Sequence, residues 1–211
     1  MNQVDNAKDL QKAIILEPEN ATAKVSEEIL SRAYHFADEY KIFLNRAKTE
    51  REAVSVVTEM AEKSGFVPFV KGKRYVPGDR VYLINRGKAI ILAVIGKESL
   101  REGVSLCASH IDSPRIDLKP RPLYEEAQLA LFKTHYYGGI KKYQWTAMPL
   151  ALHGVIVKKD GTVLNICIGE DPNDELFCIC DLLPHVGKLQ MARTLEEGIK
   201  DVYKRQALRL L

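Results

Sequence analysis

The 211-residue sequence predicts an α/β fold on three observations: an amphipathic helical pattern near its start, a run of short Val/Ile/Leu-rich segments in its middle, and a hairpin-like pair of such segments further on. Helices, then sheet, then a hairpin-rich region predict an α/β core of helices and mixed sheet followed by a β-rich second unit.

Residues 1–25 show no clear period, contain Pro18 and Asn20, and read as a loosely ordered lead-in. Order begins at Ser26, where Ile29, Ala33, Phe36, Tyr40 and Phe43 recur at steps of four and three and so share one face of a helix. Thr49-Glu50-Arg51-Glu52 is a capping box, in which a hydroxyl and a carboxylate three residues apart satisfy orphan backbone donors. The helix it opens should end at Gly65, a residue free to adopt the left-handed conformation that closes helices. Beyond Pro68, the segments Arg80 to Arg86, Lys88 to Gly96 and Gly103 to Ser109 read as strands of one sheet. Leu152 to Val157 and Thr162 to Ile168 read as two more, joined through Asp160-Gly161, a pair suited to a tight hairpin turn. Between these groups lies Ser113 to Trp145, dense in Pro, Arg, Lys, Tyr and Gly, which reads as a long functional loop.

Composition narrows the function classes. With 46% hydrophobic and 28% charged residues the chain is an ordinary globular sequence, and its 31 basic and 28 acidic residues are interspersed, so the net charge of +3 forms no arm for nucleic acid. The longest strongly apolar stretch, Ala89 to Gly96, falls far short of the ~20 residues that span a bilayer. Four cysteines and a polar opening without an apolar signal segment point to a reducing compartment, hence a cytoplasmic protein. Cys178-Ile-Cys180 has one intervening residue rather than the roughly two to four of zinc hairpins, and no second pair follows; the cysteines are expected to be buried thiols.

The sharpest local feature is Cys107-Ala108-Ser109-His110-Ile111-Asp112-Ser113-Pro114, read as a hydrophobic strand ending in a histidine and an aspartate two residues apart. In extended backbone such residues project to one side. A metal-bound imidazole works best when its second nitrogen donates to a carboxylate or carbonyl. The triplet by itself is short enough to arise by chance and fits a hydrogen-bonded structural histidine near the surface better than a metal ligand with its orienting carboxylate. His135 and His153 are expected to be structural. Arg115 to Arg121, with Lys141-Lys142, form the one local basic concentration, read as a solvated loop or as a patch that attracts an acidic group.

Several motifs in order are more specific than any one alone. His110-Ile111-Asp112-Ser113-Pro114-Arg115, then Lys133-Thr134-His135-Tyr136-Tyr137-Gly138-Gly139 with Trp145, then Leu152-His153-Gly154-Val155 and Leu183-Pro184-His185 together resemble the aspartyl aminopeptidase (aminopeptidase I) family of dinuclear zinc metalloaminopeptidases, its bacterial members above all. The similarity runs from about Ser26 to Leu195. It implies that His110 is a metal ligand, that Asp112 is its catalytic partner, and that two zinc ions serve the intact enzyme. It also implies an attack by metal-activated water on the first peptide bond of substrates with free N-termini, a homo-oligomer, and a His185 that reaches toward a neighbouring subunit's site. Arg115 is a further substrate-site candidate. Some members carry another histidine four residues after the one matched by His185, where this chain has Leu189, so the acidic-substrate preference is left open.

The remaining ligands and the general base that the resemblance implies have no counterpart here, so the chain is expected to be an incomplete N-terminal portion, inactive alone. The expected organisation is a lead-in over 1–25, part of a zinc-exopeptidase catalytic domain over 26–119, a β-rich inserted oligomerisation domain over 120–195, and an atypical tail over 196–211, either artificial or a short helix with exposed leucines. Two rivals stand beside this reading: a non-catalytic oligomerisation module, and a single-strand nucleic-acid binder that stacks bases on Tyr136, Tyr137, Tyr143 and Trp145.

Overall fold

The computed structural model describes residues 20–126 and 128–199, positions 10, 11, 14 and 15, and the backbone of 207–210. Most of the expected lead-in lies outside these. Asn20 caps a single 3-10 turn, Ala21–Ala23, its Oδ1 accepting from Thr22 N at 3.0 Å. The chain divides into two compact units, residues 1–46 and 47–211.

The first unit contains α1 (Glu27–Arg46), the helix expected from Ser26, with Tyr40 stacked on Phe43 at 6.1 Å. The second opens with α2 (Glu50–Lys63). Its capping box is formed as the sequence requires: Thr49 Oγ1 accepts from Glu52 N, and Glu52 Oε2 accepts from Thr49 N at 2.9 Å. Ser64 closes the helix and Gly65 follows at φ 81°. Ala53, Val54, Val56 and Ala61 are its buried face.

A three-stranded mixed sheet lies beside α2. β1 (Val67–Pro68) pairs parallel with β2 (Arg80–Asn85), which pairs antiparallel with β3 (Ala89–Val94). Val81 and Tyr82 are its buried residues, the Tyr82 hydroxyl donates to Glu62 of α2 at 2.7 Å, and Arg80 donates to the helix-terminal Ser64 carbonyl at 2.7 Å.

Two expectations fail in the middle of the chain. Gly103 to Ser109 is not a strand: it pairs with nothing among the described residues, and Val104 and Leu106 are exposed. An apolar alternation becomes a strand only where another backbone satisfies its N–H and C=O groups. Conversely, Ser113 to Trp145 is not a loop. β4 (Arg115–Glu126) and β5 (Leu129–Tyr137) form a long antiparallel hairpin through it. The prolines that suggested a loop sit in a bulge, where Lys119-Pro120-Arg121-Pro122 of β4 lie opposite Lys133 alone, between the Leu118↔Thr134 and Leu123↔Phe132 pairs. A bulge needs no N–H from those positions, which is where a strand accepts proline.

β6 (Leu152–Val157) and β7 (Val163–Ile168) form the expected hairpin, with Gly161 at φ 86° in its turn. β8 (Phe177–Ile179) and β9 (Ala207–Leu210) join β4 and β5 in a sheet of order β4-β5-β9-β8. Residues 207–210 are therefore extended rather than helical; the rest of the tail beyond Ile199 lies outside the described residues. Two short helices, α3 (Lys188–Met191) and α4 (Leu195–Gly198), lie between β8 and β9. The core of this part is Phe177 and Ile179, each under 4% exposed, with Ile116, Phe132, Trp145, Leu150, Leu152 and Ile168 packed on them. The cysteines depart from expectation: Cys107, Cys167 and Cys180 are exposed and Cys178 is half-buried, the last alternating with Phe177 and Ile179, which take the inward positions of β8.

Replacing Thr49 with Ala removes one half of the capping box and should cost about 1 kcal/mol of unfolding free energy. Thr49→Ser should restore most of it. Urea denaturation of the three proteins checks this, and equal midpoints would show that the cap contributes nothing.

Candidate functional site

His110 and Asp112 lie in the unpaired approach to β4, and they meet as their spacing predicts. His110 Nδ1 is 3.1 Å from Asp112 Oδ1 and 3.0 Å from the Asp112 carbonyl oxygen. Both neighbours of Nδ1 are acceptors, so in the neutral ring the proton sits on Nδ1 and the Nε2 lone pair is bare. The imidazole is 84% exposed, leaving Nε2 open to an electrophile.

The second oxygen of Asp112 is also engaged: the Tyr137 hydroxyl donates to Oδ2 at 2.7 Å. That bond, with the residue's own backbone N–H and the nearby imidazole, holds the Asp112 carboxyl below its usual range, and the same bond pushes the Tyr137 phenol up. Tyr137 is the last residue of β5 and is paired directly with Arg115, the first of β4. Cross-strand partners share a face, and the Arg115 guanidinium lies over the Tyr137 ring at 4.1 Å. Gly138, at φ 74° and against Pro114, turns the chain away at this end of the hairpin.

Arg115 is far from a solvated loop cation. Its Nε donates to Asp117 at 2.8 Å, and Nη1 reaches Glu50 of α2 at 3.1 Å and the Ser113 carbonyl at 3.4 Å. Burial opposes its charge, but Asp117 and Glu50 outweigh that and raise its pKa further. His185 is different: it sits at an exposed turn after β8 and shares no hydrogen bond or ion pair with this group among the described residues.

The constellation supplies one imidazole donor with its orienting carboxylate. Among the described residues no three His, Cys, Asp or Glu side chains gather closely enough to hold a metal ion. The donor set therefore fits one corner of a metal centre.

A family profile described as aminopeptidase I zinc metalloprotease (M18) matches residues 43–201, about three quarters of the chain. The chain belongs to the M18 aminopeptidase family. A probable M18 family aminopeptidase 1 of Clostridium acetobutylicum is 47% identical over 191 residues, covering 89% of this chain and 41% of that protein. The corresponding protein of Thermotoga maritima is 50% identical over 153 residues, covering 72% of this chain and 34% of its own length. The crystal structure of the M18 aminopeptidase from Thermotoga maritima superposes with a TM-score of 0.81 at 42% identity, over 92% of this chain and 42% of that one. Aminopeptidase I from Clostridium acetobutylicum gives 0.79 at 42% identity, over 93% and 43%. The chain thus spans about two fifths of the length of the M18 relatives it matches.

Two residues that join the His110–Asp112 group escape the sequence pattern. Glu50 registers there only as part of a helix start, and Tyr137 only as part of a motif inside a loop. Recognising the β4–β5 hairpin would have placed Tyr137 opposite Arg115. The nucleic-acid alternative loses surface here as well, since the Tyr137 ring is covered by Arg115 and Trp145 packs on the Phe177–Ile179 core.

A second polar cluster adjoins the first through α2. His153 has both ring nitrogens engaged: Nδ1 is 2.8 Å from Glu52 and Nε2 is 3.0 Å from Glu170, which also pairs with Lys48 at 3.1 Å. Hydrogen bonds from Lys48 and then His153 hold the Glu170 carboxyl below its ordinary value of 4.5. A depressed carboxyl contributes stability above the unfolded-state value and loses it as pH falls through the folded one. Glu170→Gln should therefore be less stable than the parent at neutral pH, with the gap closing as pH drops below 4.5. A gap independent of pH in chemical denaturation would contradict this.

Proposed function

We propose that this chain carries the first metal ligand of an M18 aminopeptidase: His110 would bind zinc through Nε2, and Asp112, holding Nδ1, would act as its catalytic partner. The observation that carries the reading is the double acceptor at His110 Nδ1, which leaves Nε2 as an exposed donor in a zinc metalloprotease family. Zinc, when bound in such a site, lowers the pKa of a water and stabilises the tetrahedral oxyanion formed at a peptide carbonyl. The work of the chain's own residues is to fix one ligand in tautomer and direction and to hold a negative carboxylate beside it.

The finer reading follows from the same residues. Two zinc ions would serve the complete site, of which His110 is one ligand, and substrates would be peptides with free N-termini in the cytoplasm. A division near Lys119 would separate the catalytic part from a β-rich oligomerisation part. His185 would lie at a contact with a neighbouring subunit, a role supported by the exposed apolar residues around it: Leu182, Leu183, Val186, Leu189, Met191 and Leu195 are each more than half exposed.

In a polypeptide of family length carrying this sequence, His110→Ala should abolish aminopeptidase turnover and lower zinc content. Asp112→Asn, which keeps the shape but not the charge, should cost about 10–100-fold in metal affinity or activity. Metal analysis alongside hydrolysis of aminoacyl substrates checks both, and a His110→Ala protein with full zinc and full activity would refute the assignment.

The 211 residues alone should bind zinc weakly and hydrolyse no peptide, since a catalytic zinc needs about three protein ligands and a paired site a bridging carboxylate as well. Calorimetry showing tight uptake of two zinc ions by this chain would overturn that expectation.

A further inference from the structure

We infer that Tyr137, Arg115 and Glu50 are positioning residues for the metal ligand: together they immobilise the Asp112 carboxylate so that it can fix the His110 imidazole in one tautomer. The inference deepens the proposed function and rests on it, because it takes Nε2 of His110 as the metal-binding atom.

His110 belongs to a segment without ladder hydrogen bonds, and its imidazole is 84% exposed, so its own backbone and packing do not set its direction. An exposed imidazole and an exposed carboxylate exchange each other for water unless one of them is held. Here Asp112 is held. Oδ1 receives His110 and Oδ2 receives Tyr137, so the carboxylate has a defined orientation.

Tyr137 is fixed in turn. It ends a strand whose register against β4 is continuous from Arg115↔Tyr137 to Leu118↔Thr134, and its ring lies beneath the Arg115 guanidinium at 4.1 Å. That guanidinium is pinned by Asp117 on its own strand, by the Ser113 carbonyl, and by Glu50 in the first turn of α2. A planar fork can serve two carboxylates while stacking on a ring, and a lysine in its place could not.

The chain Glu50, Arg115, Tyr137, Asp112, His110 therefore runs from a rigid helix start, across a strand pair, to a ligand whose Nδ1 has besides the carboxylate the Asp112 carbonyl at 3.0 Å. Arg115 does its work inside this chain, with its donors turned to Glu50, Asp117 and Ser113.

The tautomer is directly measurable. In the 211-residue chain labelled with 15N-histidine, long-range proton–nitrogen correlations, recorded at a pH where the imidazole is neutral, report which ring nitrogen is protonated. The His110 signals are identified by their loss in His110→Gln. The wild-type ring should be Nδ1-protonated. Tyr137→Phe should lower the Nδ1–H to Nε2–H ratio roughly tenfold, the equivalent of one charge-assisted hydrogen bond.

Glu50→Gln is the milder second variant. It keeps a side-chain acceptor and the helix start, and it should shift the same ratio by a smaller factor. His153 is the internal control, since its contacts lie outside the chain. A changed His110 tautomer with unchanged His153 signals supports positioning. An unchanged His110 tautomer in Tyr137→Phe overturns it; should that variant unfold and move His153 too, an unchanged tautomer in Glu50→Gln does so instead. Failure of the metal reading is separable, because it would appear as unaltered zinc content in His110→Ala while the metal-free tautomer result stood.

Discussion

The first turn of α2 is the constraint on which the rest of the second unit depends. Its two carboxylates face two different hairpins: Glu50 meets Arg115 at the start of β4, and Glu52 meets His153 in β6. Glu52 divides its oxygens between two tasks, one closing the capping box with Thr49 and the other receiving His153. Negative charge at a helix N-terminus is favoured by the helix dipole, and each carboxylate there also neutralises or receives a basic group from the sheet side. The local signal that starts the helix and the long-range contacts that hold the hairpins are thus made by the same side chains.

This arrangement explains how a histidine can be oriented on a segment that has no secondary structure of its own. His110 and Asp112 borrow order from the hairpin that follows them. β4 is anchored through the Ile116 contact with the Phe177–Ile179 core and through the salt bridge of Arg115 to α2, and β5 brings Tyr137 to the one free oxygen of Asp112. Binding residues commonly sit on loops that a rigid scaffold holds in place, and here the scaffold reaches the loop through one hydroxyl and one stacked guanidinium.

Local chemistry is what the sequence makes legible. The capping box, the glycine that follows α2, the β2–β3 pair and the Asp-Gly hairpin each depend on residues close together in the chain, and each forms as read. The His110–Asp112 contact is legible for the same reason. What is hidden depends on partners. Gly103 to Ser109 has the alternation of a strand but lacks a neighbour among the described residues, whereas the stretch from Arg115 to Tyr137 has the composition of a loop and is a strand pair because a bulge absorbs its prolines. Glu50 and Tyr137 are hidden at the site for the same reason, lying 60 and 25 positions from the nearest residue of the His110–Asp112 pair that they serve, with Arg115 as the link.

Arg115 shows why a local charge count misleads. Counted along the chain it belongs to a basic stretch with Lys119 and Arg121, and such a stretch suggests a field for an acidic ligand. In three dimensions Asp117 and Glu50 lie within 3.1 Å of its guanidinium, so that its charge is compensated twice before any ligand approaches. A cation so compensated contributes geometry more than potential: it presents a flat, immobile face to Tyr137 and fixes where that phenol points. The carboxylate of Asp112 beside a bare Nε2, by contrast, makes the immediate surroundings of His110 favourable to a cation.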